Sequence, residues 1–513
     1  MPDAISPRAD WNALYIGGEW VDGDGDTIPI ADPSTREVFA EVPAATESDV
    51  DDAYEAAAVA QTEWRDQPPA ARQEVIQQFT EALHEFEEEI IELLTHEAGG
   101  TAGYGHTSHH LTADQAGEAA TLPRRMKGEH APSNIPGKEH LIKREPKGVV
   151  TVISPWNFPL NLSARAVLPA IAAGNAVVLK PATNTPISGG LLFATLFEET
   201  DLPDGVLNVV TGRGSEIGDR VAGHPESDVV AFTGSTEVGR RVAAAAAENL
   251  ATPAMELGGN NAHVVTADAD LERAVDGAVF GSFIHQGQVC ISINRHVVHE
   301  DVYDDYVTHL VDRAESLVAG SAHDEVHLGP VIDEHQRDEM LEYVAETIDA
   351  GATLETGGGI VDLEGVHESQ SDSLASQKSS TSGDVEDSLV IEPTVLSDVT
   401  NDMAAACNEH FGPIAPVIPF SDIDEAIEIV NDTEFGLSGS VHAGDRETAR
   451  SIADRMETGM VHIGDQPIND EAHVPFSGTG ASGMGGYNTE EFLREVTETK
   501  WISIQREPRE YPF

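Results

Sequence analysis

The fold is decided by residues 149–180, which read VVTVISPWNFPLNLSARAVLPAIAAGNAVVLK. The β-branched run at residues 149–153 predicts a buried strand, residues 164–173 predict a helix, and residues 176–179 predict the next strand. A helix that connects two such strands leaves them parallel in one sheet. This stretch therefore predicts an α/β fold with a parallel sheet that is covered by helices on both faces.

The same alternation continues toward the C-terminus. Further predicted elements are a helix at residues 190–200, strands at 206–210, 229–232, 262–265 and 294–298, and helices from Leu271 and over 302–318. We interpret the elements up to about residue 258 as a doubly wound domain and those after it as a second α/β domain. The crevice between two such domains is the expected ligand site.

Length and charge restrict the possible functions. The chain has 513 residues, a number that predicts more than one domain, and its formal net charge is -61. This charge repels phosphate backbones and anionic lipids, so we expect neither nucleic acid nor membrane partners, and a small molecule is the expected ligand. The acidic residues are spread along the chain and lysines are rare, a composition typical of adaptation to concentrated salt. We therefore expect a halophilic protein.

Cysteine usage and the N-terminal residues predict the compartment. Cys290 and Cys407 are too few for a disulfide framework, the N-terminus lacks a signal-peptide pattern, and no apolar run is long enough to span a bilayer. We therefore expect a cytoplasmic protein. Residues 362–387 are rich in Ser, Asp, Glu and Gln, which predicts a surface insertion without an assigned role.

Three motifs follow predicted strands. Lys180 lies at the carboxyl end of its strand, where α/β sheets bind ligands, and we expect it to contact a cofactor hydroxyl rather than solvent alone. The segment Phe232-Thr233-Gly234 leads into a helix, so its N–H groups fit either a pyrophosphate or an ordinary helix cap. Asn157 lies between two prolines that would direct its amide toward an oxyanion, unless it closes a turn through its own backbone.

A thiol and a carboxylate complete the set of reactive groups. The segment Phe283-Ile284-His285-Gln286-Gly287-Gln288-Val289-Cys290 presents the thiol in a loop of small and amide residues, and Met255-Glu256-Leu257-Gly258-Gly259 lies upstream. Cys290 and Glu256 therefore predict a nucleophile and its base. A buried structural cysteine is the alternative for Cys290, and it is our interpretation of Cys407, which has no base motif beside it.

Together these motifs resemble the aldehyde dehydrogenase superfamily, in the family's order and over nearly the whole chain. The finer similarity is to its benzaldehyde and vanillin dehydrogenase branch. The motifs that carry the resemblance are residues 155–159, Lys180-Pro181, residues 232–239, residues 255–259, residues 287–290 and Glu409-His410-Phe411-Gly412-Pro413.

The resemblance implies a reaction and its catalytic residues. Cys290 adds to the aldehyde carbon, and the oxyanion is held by the Asn157 side chain and the Cys290 backbone N–H. Hydride passes to a nicotinamide, and water activated by Glu256 hydrolyses the thioester to the carboxylic acid. The implied fold is a Rossmann-like cofactor domain, an α/β catalytic domain and a β-hairpin oligomerisation arm.

The resemblance also implies a cofactor site. Lys180 would bind the adenosine ribose, the glycine-rich segment would lie near the pyrophosphate, and Glu409 with Phe411 would surround the nicotinamide ribose. NAD-preferring members usually have glutamate where this chain has Thr183, so we expect use of both NAD and NADP, or a leaning toward NADP. The implied cofactor-binding residues are Ser154, Trp156, Lys180, Thr183, Gly214, Gly234, Ser235, Gly239, Leu257, Glu409 and Phe411.

The sequence determines the substrate less closely than it determines the reaction and the cofactor. Arg165 matches an arginine that binds the substrate carboxylate in succinate-semialdehyde dehydrogenases, but Ile284 stands where those enzymes have a second arginine. Pairing of Arg165 with an acidic neighbour is the alternative. Apolar or aromatic aldehydes are therefore the expected substrates, with a semialdehyde as the second possibility.

Other classes of function remain as alternatives. A CoA-acylating enzyme typically lacks the base that Glu256 provides, and a structural use of the scaffold would not need Cys290. A zinc hydrolase is disfavoured because His109 and His110 are adjacent and no His-Glu-x-x-His motif occurs, so we expect a histidine-rich surface loop and no metal.

The family's architecture implies domain boundaries and an assembly. The cofactor domain would comprise residues 9–122 and 147–257, the catalytic domain residues 258–460, and the arm residues 124–146 and 487–513. Within the arm we expect a hairpin with its turn at Ile135-Pro136-Gly137 and an extra strand near Trp501. Exposed edges of this kind need partners, which predicts a homodimer or a homotetramer.

Overall fold

The computed structural model describes residue 5, residues 9–361 and residues 388–513. The predicted surface insertion at residues 362–387 lies outside the described residues. No helix within the described ranges combines the length and the apolar character that crossing a membrane requires.

The strands, in chain order, are β1 (Leu14–Ile16), β2 (Glu19–Val21), β3 (Thr27–Ala31), β4 (Val38–Pro43), β5 (Glu129–Pro132), β6 (Lys138–Pro146), β7 (Val149–Ile153), β8 (Ala176–Lys180), β9 (Leu207–Val209), β10 (Val229–Thr233), β11 (Thr252–Glu256), β12 (Asn261–Val265), β13 (Ile293–His299), β14 (Thr353–Thr356), β15 (Thr394–Ser397), β16 (Ile414–Phe420), β17 (Phe435–Gly436), β18 (Gly439–His442), β19 (His462–Ile463), β20 (Thr479–Gly480), β21 (Gly483–Met484) and β22 (Thr497–Gln505).

The α-helices, in chain order, are α1 (Glu47–Trp64), α2 (Pro69–Glu85), α3 (Glu87–Ala98), α4 (Ala102–Ala119), α5 (Pro159–Ala173), α6 (Leu192–Glu198), α7 (Gly214–Ala222), α8 (Thr236–Glu248), α9 (Leu271–Phe283), α10 (Tyr303–Glu315), α11 (Glu334–Asp349), α12 (Ala404–Cys407), α13 (Ile423–Asn431), α14 (Arg446–Ala453) and α15 (Thr489–Glu495).

The first sheet has the strand order β2-β1-β9-β8-β7-β10-β11-β21. The strands at its centre, from β9 to β11, are parallel. Helix α5 connects β7 to β8, and these two strands pair so that Ile153 lies opposite Lys180. All residues of β8 and α5 are buried, since helices and neighbouring strands cover them. The predicted parallel sheet with helices packed against it is confirmed.

Two helices differ from their predicted bounds. Helix α5 begins at Pro159 rather than at residue 164, because proline at the first helical position loses no hydrogen bond and has a suitable φ. The helix predicted at residues 190–200 begins as a π-helical turn over Ile187–Leu191. Gly190 allows this turn to pack closely on Pro181, since a Cβ there would lie 2.5 Å from the proline ring.

The second sheet has the strand order β14-β15-β16-β13-β12-β18-β19. It contains the strands that we predicted after residue 258, and β12 pairs in parallel with both β13 and β18. Its last strand, His462–Ile463, lies just beyond the predicted limit of the catalytic domain at residue 460. The division of the chain into domains at the stated residues stays a prediction.

A third, three-stranded sheet contains the predicted arm. Strands β5 and β6 form the hairpin, and Gly137 in its turn has a φ of +71°. Strand β22 pairs antiparallel with β6 along its whole length, from Thr497 opposite Pro146 to Gln505 opposite Lys138. The predicted hairpin and the predicted extra strand are therefore both present.

The histidine-rich segment was assigned wrongly. Residues 106–110 belong to helix α4 and not to a loop, and His109 is buried. Tyr104, Ser108 and Thr112 are buried beside it at helical spacing. Polar residues dominate this buried face, so hydrophobic periodicity gave no signal of a helix.

Candidate active site

The carboxyl ends of adjacent parallel strands bring the predicted site residues to one edge of the first sheet. Lys180 is the last residue of β8 and Glu256 the last of β11, while Ser154 and Asn157 follow β7 and Gly234 follows β10. Because β8, β7, β10 and β11 are neighbours, these residues share that edge. Ligands of open α/β sheets bind at such an edge.

Cys290 lies in a loop that leaves α9 through a tight turn. His285, Gln286 and Gly287 have φ values of +48°, +57° and +71°, all in the left-handed region. Glycine is required at 287, because a Cβ there would lie 2.1 Å from the carbonyl oxygen of Gly412. Strain of this kind is typical of functional sites. The turn places Cys290, a free and partly exposed thiol, at the sheet edge.

Asn157 is tied to the cysteine loop. Its Nδ2 donates to the carbonyl oxygen of Gln288 at 2.9 Å, and the hydroxyl of Tyr104 donates to the Asn157 carbonyl at 2.7 Å. Asn157 is also buried. An amide nitrogen carries two hydrogens, so the second N–H of Asn157 can donate to another acceptor.

Glu256 is a buried carboxylate whose charge is poorly compensated. Within the described residues neither of its oxygens has a hydrogen-bond partner, although the backbone N–H of Gly478 is close enough to influence it. Burial raises the pKa of Glu256 well above its usual range, and the Arg165 charge opposes that rise. A carboxylate with a raised pKa is suited to accept a proton near neutral pH.

The Cys290 thiol is similarly hard to ionise. Burial, together with the carboxylates of Glu409, Glu256 and Asp470, raises its pKa to about 12, and Arg165 opposes that rise. These groups therefore surround the sulfur closely enough to act on it electrostatically. The Cys290 thiol is therefore neutral near pH 7, and a base would be needed to ionise it.

Arg165 is buried in α5 and already has a partner. Its guanidinium forms an ion pair with Asp470 and lies over the ring of Phe476, 4.3 Å from the ring centroid. Asp470 also accepts a hydrogen bond from Asn488 Nδ2 at 3.0 Å. Pairing with an acidic neighbour was the alternative that the sequence left open for Arg165. The guanidinium therefore compensates the negative charge of Asp470. It offers no unpaired positive charge to a substrate.

The surroundings of Cys290 are otherwise apolar. Ile284 and Cys290 both pack against the hydrophobic cluster that includes Phe158 and Phe476. His285 stacks on Tyr104 with ring centroids 4.1 Å apart, and burial lowers the pKa of His285 to about 3, so this ring is neutral. The thiol therefore lies against aliphatic and aromatic surface.

Lys180, Ser154 and Thr183 form one end of the predicted cofactor crevice. The Lys180 Nζ is buried and donates to the Pro181 carbonyl at 3.1 Å, and burial lowers its pKa to about 8. The Ser154 hydroxyl is buried without a partner in the described residues. Thr183 donates to the carbonyl of Gly212 at 3.3 Å. These groups retain hydrogen-bonding capacity for a polyhydroxylated ligand.

The glycine-rich segment begins helix α8. The Ser235 hydroxyl caps the helix by accepting from the backbone N–H of Val238, and Gly239 packs so closely that a Cβ would lie 2.2 Å from Leu257. The segment therefore contains a helix cap, and this cap leaves other N–H groups of the helix N-terminus available to an anion. Gly214 begins α7, and a Cβ on it would meet open space.

Glu409, Phe411 and Trp156 form the other end of the crevice. Glu409 accepts from the backbone N–H of Gly259 at 2.8 Å, and burial raises its pKa to about 7. A Cβ on Gly258 would lie 2.2 Å from the Glu409 carboxylate, so a larger residue there would displace that carboxylate. The rings of Trp156 and Phe411 meet edge to face, with centroids 5.5 Å apart. Residues from distant parts of the chain thus meet here.

Two residues of the site were not found from the sequence. Asp470 was missed because any of 90 acidic residues could have paired with Arg165, although an arginine inside an apolar helix signals that a partner exists. Tyr104 was missed because it lies on the helix that we assigned to a loop. Only three-dimensional contacts connect these residues to Asn157 and Glu256.

Comparison with known proteins agrees with this geometry. The model of the aldehyde dehydrogenase family matches residues 20–502. A benzaldehyde dehydrogenase of Bacillus subtilis is 41% identical over 504 residues, which cover 98% of this chain and 99% of that protein. A vanillin dehydrogenase of Corynebacterium glutamicum is 42% identical over 495 residues, which cover 96% of this chain and 97% of the relative.

A solved structure has the same fold. The chain is similar to betaine aldehyde dehydrogenase from Staphylococcus aureus in complex with NAD+, with a TM-score of 0.91 and 33% sequence identity. The match covers 97% of this chain and 95% of that one.

Proposed function

The chain belongs to the aldehyde dehydrogenase family, and from this premise we propose that it oxidises apolar or aromatic aldehydes to carboxylic acids through a covalent adduct on Cys290. The observation that carries the proposal is the convergence at one sheet edge of a partly exposed thiol, a buried carboxylate and an amide donor. These are the three groups that acyl chemistry on a thiol needs.

Addition to the aldehyde is assigned to Cys290 and Asn157. The thiol gives up its proton as the sulfur bonds to the carbonyl carbon, and the carbonyl oxygen becomes an oxyanion. The second N–H of the Asn157 amide and the backbone N–H of Cys290 donate to that oxygen. Because Gln288 already holds the amide through its other hydrogen, the donor is oriented before the substrate arrives.

Proton removal and hydrolysis are assigned to Glu256. A carboxylate with a raised pKa can take a proton from the thiol or from water, directly or through one bridging water. After oxidation, a thioester remains on Cys290. Water that gives its proton to Glu256 attacks the thioester carbon, and the acid leaves as the thiol reforms.

The residues of the crevice fit a dinucleotide. The unpartnered hydroxyl of Ser154 and the buried Lys180 ammonium suit ribose hydroxyls, and the capped start of α8 suits a pyrophosphate. Glu409 and Phe411 would hold the nicotinamide ribose, beside Trp156. When bound, the nicotinamide supplies the hydride acceptor. We assign NAD or NADP to this site, consistent with the NAD+ complex of the similar betaine aldehyde dehydrogenase.

The substrate class follows from the surface around Cys290. Ile284 and the cluster that contains Phe158 and Phe476 offer apolar contact, and benzaldehyde and vanillin dehydrogenases are similar to this chain over nearly all of its length. A semialdehyde would need a cation for its carboxylate. Arg165 is paired with Asp470 and Ile284 carries no charge, so this second candidate is disfavoured.

The decisive experiment is a steady-state comparison of benzaldehyde, a medium-chain aliphatic aldehyde and succinate semialdehyde, each with NAD+ and NADP+ in molar KCl. We expect the highest kcat/KM for benzaldehyde. A dominant rate with succinate semialdehyde would overturn the substrate assignment. Retention of activity in Cys290→Ala would overturn the covalent mechanism, and a strong stimulation by CoA would indicate an acylating enzyme.

A further inference from the structure

A cluster of histidines and one glutamate lies where three helices meet, away from the active site. His84 is in the last turn of α2, Glu87 begins α3, and His106 and His109 are one turn apart on α4. One ligand atom from each of His84, Glu87 and His109 lies within 4.8 Å of the others. His106 Nδ1 lies 3.4 Å from Glu87 Oε1.

His109 is held with a ligating nitrogen directed at this cluster. Its Nε2 lies 3.0 Å from the carbonyl oxygen of Leu83, and since a carbonyl only accepts, Nε2 carries the proton. A backbone carbonyl that holds one imidazole nitrogen in this way is the usual support of a histidine that ligates a metal through the other. The ring is 4% exposed, which prevents free rotation.

The other nitrogen of His109 faces a carboxylate without a hydrogen bond. Its Nδ1 lies 3.9 Å from Glu87 Oε1, beyond hydrogen-bond range, and it has no other partner within the described residues. With the proton on Nε2, the Nδ1 atom of the neutral ring carries a lone pair and can only accept. Two acceptors that face each other across this gap repel, unless a cation lies between them.

Two of the spacings are close to those around one tetrahedral cation. Zinc bonds of about 2.0–2.1 Å to nitrogen and about 2.0–2.2 Å to oxygen place neighbouring ligand atoms roughly 3.3–3.5 Å apart. The His106–Glu87 distance of 3.4 Å lies in that range, and the His109–Glu87 distance of 3.9 Å exceeds it by about half an ångström. His84 and His106 are exposed, so their side chains are free to rotate toward a bound ion.

A second cluster, of Asp32, His96 and His323, lacks these features. Its two imidazoles lie 2.8 and 2.6 Å from the same carboxylate oxygen of Asp32. Those distances are hydrogen bonds and are too short for two ligands of one metal. Hydrogen bonds already satisfy the polar atoms of this second cluster. It therefore serves as an internal comparison for the first cluster.

We propose that His84, Glu87, His106 and His109 form a binding site for a divalent transition-metal cation of the zinc class. A set of imidazoles with one carboxylate suits Zn²⁺ and related transition metals, whereas Mg²⁺ and Ca²⁺ prefer oxygen ligands. The bound ion would connect the C-terminus of α2, the start of α3 and the middle of α4. Its effect is structural, because none of these residues belongs to the catalytic or cofactor site.

The test measures Zn²⁺ binding to the full chain by titration calorimetry and by metal analysis after dialysis. A large excess of Mg²⁺ is included to occupy the many surface carboxylates. We expect one tightly bound equivalent, and visible d–d absorption of tetrahedral geometry when Co²⁺ replaces Zn²⁺. Because the ion binds the folded state, Zn²⁺ should also raise the Tm.

The variants separate this site from the rest of the surface. His84→Gln, His106→Gln and Glu87→Gln should each weaken binding by about tenfold or more. His110→Gln is the matched control, because His110 is next to His109, is 76% exposed and pairs with Asp114, and it should leave binding unchanged. His323→Gln should also leave it unchanged. Buried His109 is not substituted, so folding is not at risk.

Three results would overturn the proposal. The first is a His84→Gln/His106→Gln double variant that binds Zn²⁺ as the natural chain does. The second is loss of the tight site in Cys290→Ala or Cys407→Ala, which would assign the ion to a thiolate. The third is complete displacement of Zn²⁺ by excess Mg²⁺, which would leave only diffuse carboxylate binding.

Discussion

Arg165 and Asp470 act in opposite directions on the two reactive groups. Arg165 lowers the pKa of both Cys290 and Glu256, while Asp470 raises both. We predict that Arg165→Gln shifts the pH profile of kcat/KM toward higher pH by roughly one unit or more, since an opposite charge at short range has effects of this size. Asp470→Asn should shift the profile the other way. Initial rates from pH 6 to 10 measure both shifts.

The double variant Arg165→Gln/Asp470→Asn is the control for that prediction. It removes both charges together, so its pH profile should return close to that of the natural chain even if its rate is lower. If both single variants lose activity without any displacement of the pH profile of kcat/KM, the ion pair contributes only to the packing of the site. Arg165 and Asp470 would then be structural and not positioning residues.

Thr183 is the residue that we expect to govern how the site treats a 2′-phosphate. A carboxylate at this position would accept from the ribose 2′-hydroxyl and repel the phosphate, whereas the Thr183 hydroxyl does neither strongly and donates to Gly212. We predict that Thr183→Glu raises the NAD to NADP ratio of kcat/KM at least about tenfold. Thr183→Gln introduces a side chain of the same size as glutamate but without its charge, so it should change the ratio little. A hundredfold NAD preference in the natural chain would contradict the expected use of both cofactors.

Candidate reactive side chains can be named from the sequence, but their electrostatic surroundings cannot. Cys290, Glu256 and Asn157 lie in local motifs, and the strand before Asn157 follows from hydrophobic patterning. Strand β11, which ends at Glu256, was not predicted. The partner of Arg165 depends on a contact between α5 and a loop some 300 positions later. Sequence spacing carries no information on such a contact when acidic residues are this abundant.

Strand β22 and the hairpin of β5 and β6 expose apolar side chains. Trp501 is 68% exposed although its Nε1 donates to His140, and Ile504 is 37% exposed on the same strand. We predict that this sheet is covered by another subunit, and that Trp501→Glu lowers the particle mass measured by light scattering after gel filtration. Val59→Glu is the matched control, because Val59 is also 68% exposed, on α1.

An unchanged mass in Trp501→Glu, or a natural chain that is already monomeric, would contradict that assignment. The arm was predicted because the family resemblance implies it, and its turn at Ile135-Pro136-Gly137 was located within that expectation. Helix beginnings were less predictable, because Pro159 and the π-helical turn at Ile187 depend on packing against other parts of the chain. Helix α4 was missed for the related reason that its buried face is polar.

The contact of Asp32 with His96 and His323 connects the start of the chain to the loop after α10. Burial raises the pKa of Asp32, but hydrogen bonds from His323 and His96 outweigh burial and hold it at about 2. The same hydrogen bond raises the pKa of His323 above its ordinary 6.5. The Asp32 contribution to stability is thus present above pH 3.8 and is lost as the pH falls toward about 2.

The contribution of His323 has the opposite dependence. It is complete below pH 6.5 and is lost as the pH rises through the raised pKa of the folded protein. We predict that His323→Gln lowers the Tm most between about pH 4 and 6.5 and progressively less above pH 7. His309→Gln, on the exposed face of α10, should have no such dependence. An equal loss of Tm at pH 5.5 and 9 would show that charge plays no part in this contact.

The net charge of -61 makes the stability of the whole molecule depend on salt. With 29 Lys and Arg against 90 acidic residues, most carboxylates have no cation to pair with, and their mutual repulsion opposes the compact state. The screening length falls from about 10 Å at 0.1 M to about 3 Å at 1 M ionic strength. We predict that the Tm rises by several degrees or more between 0.1 and 2 M KCl, and that sucrose, which is excluded from protein surfaces without screening charge, reproduces only part of the rise. A Tm that is independent of KCl would remove the physical basis for a halophilic protein, because it would mean that the acidic surface is tolerated without screening.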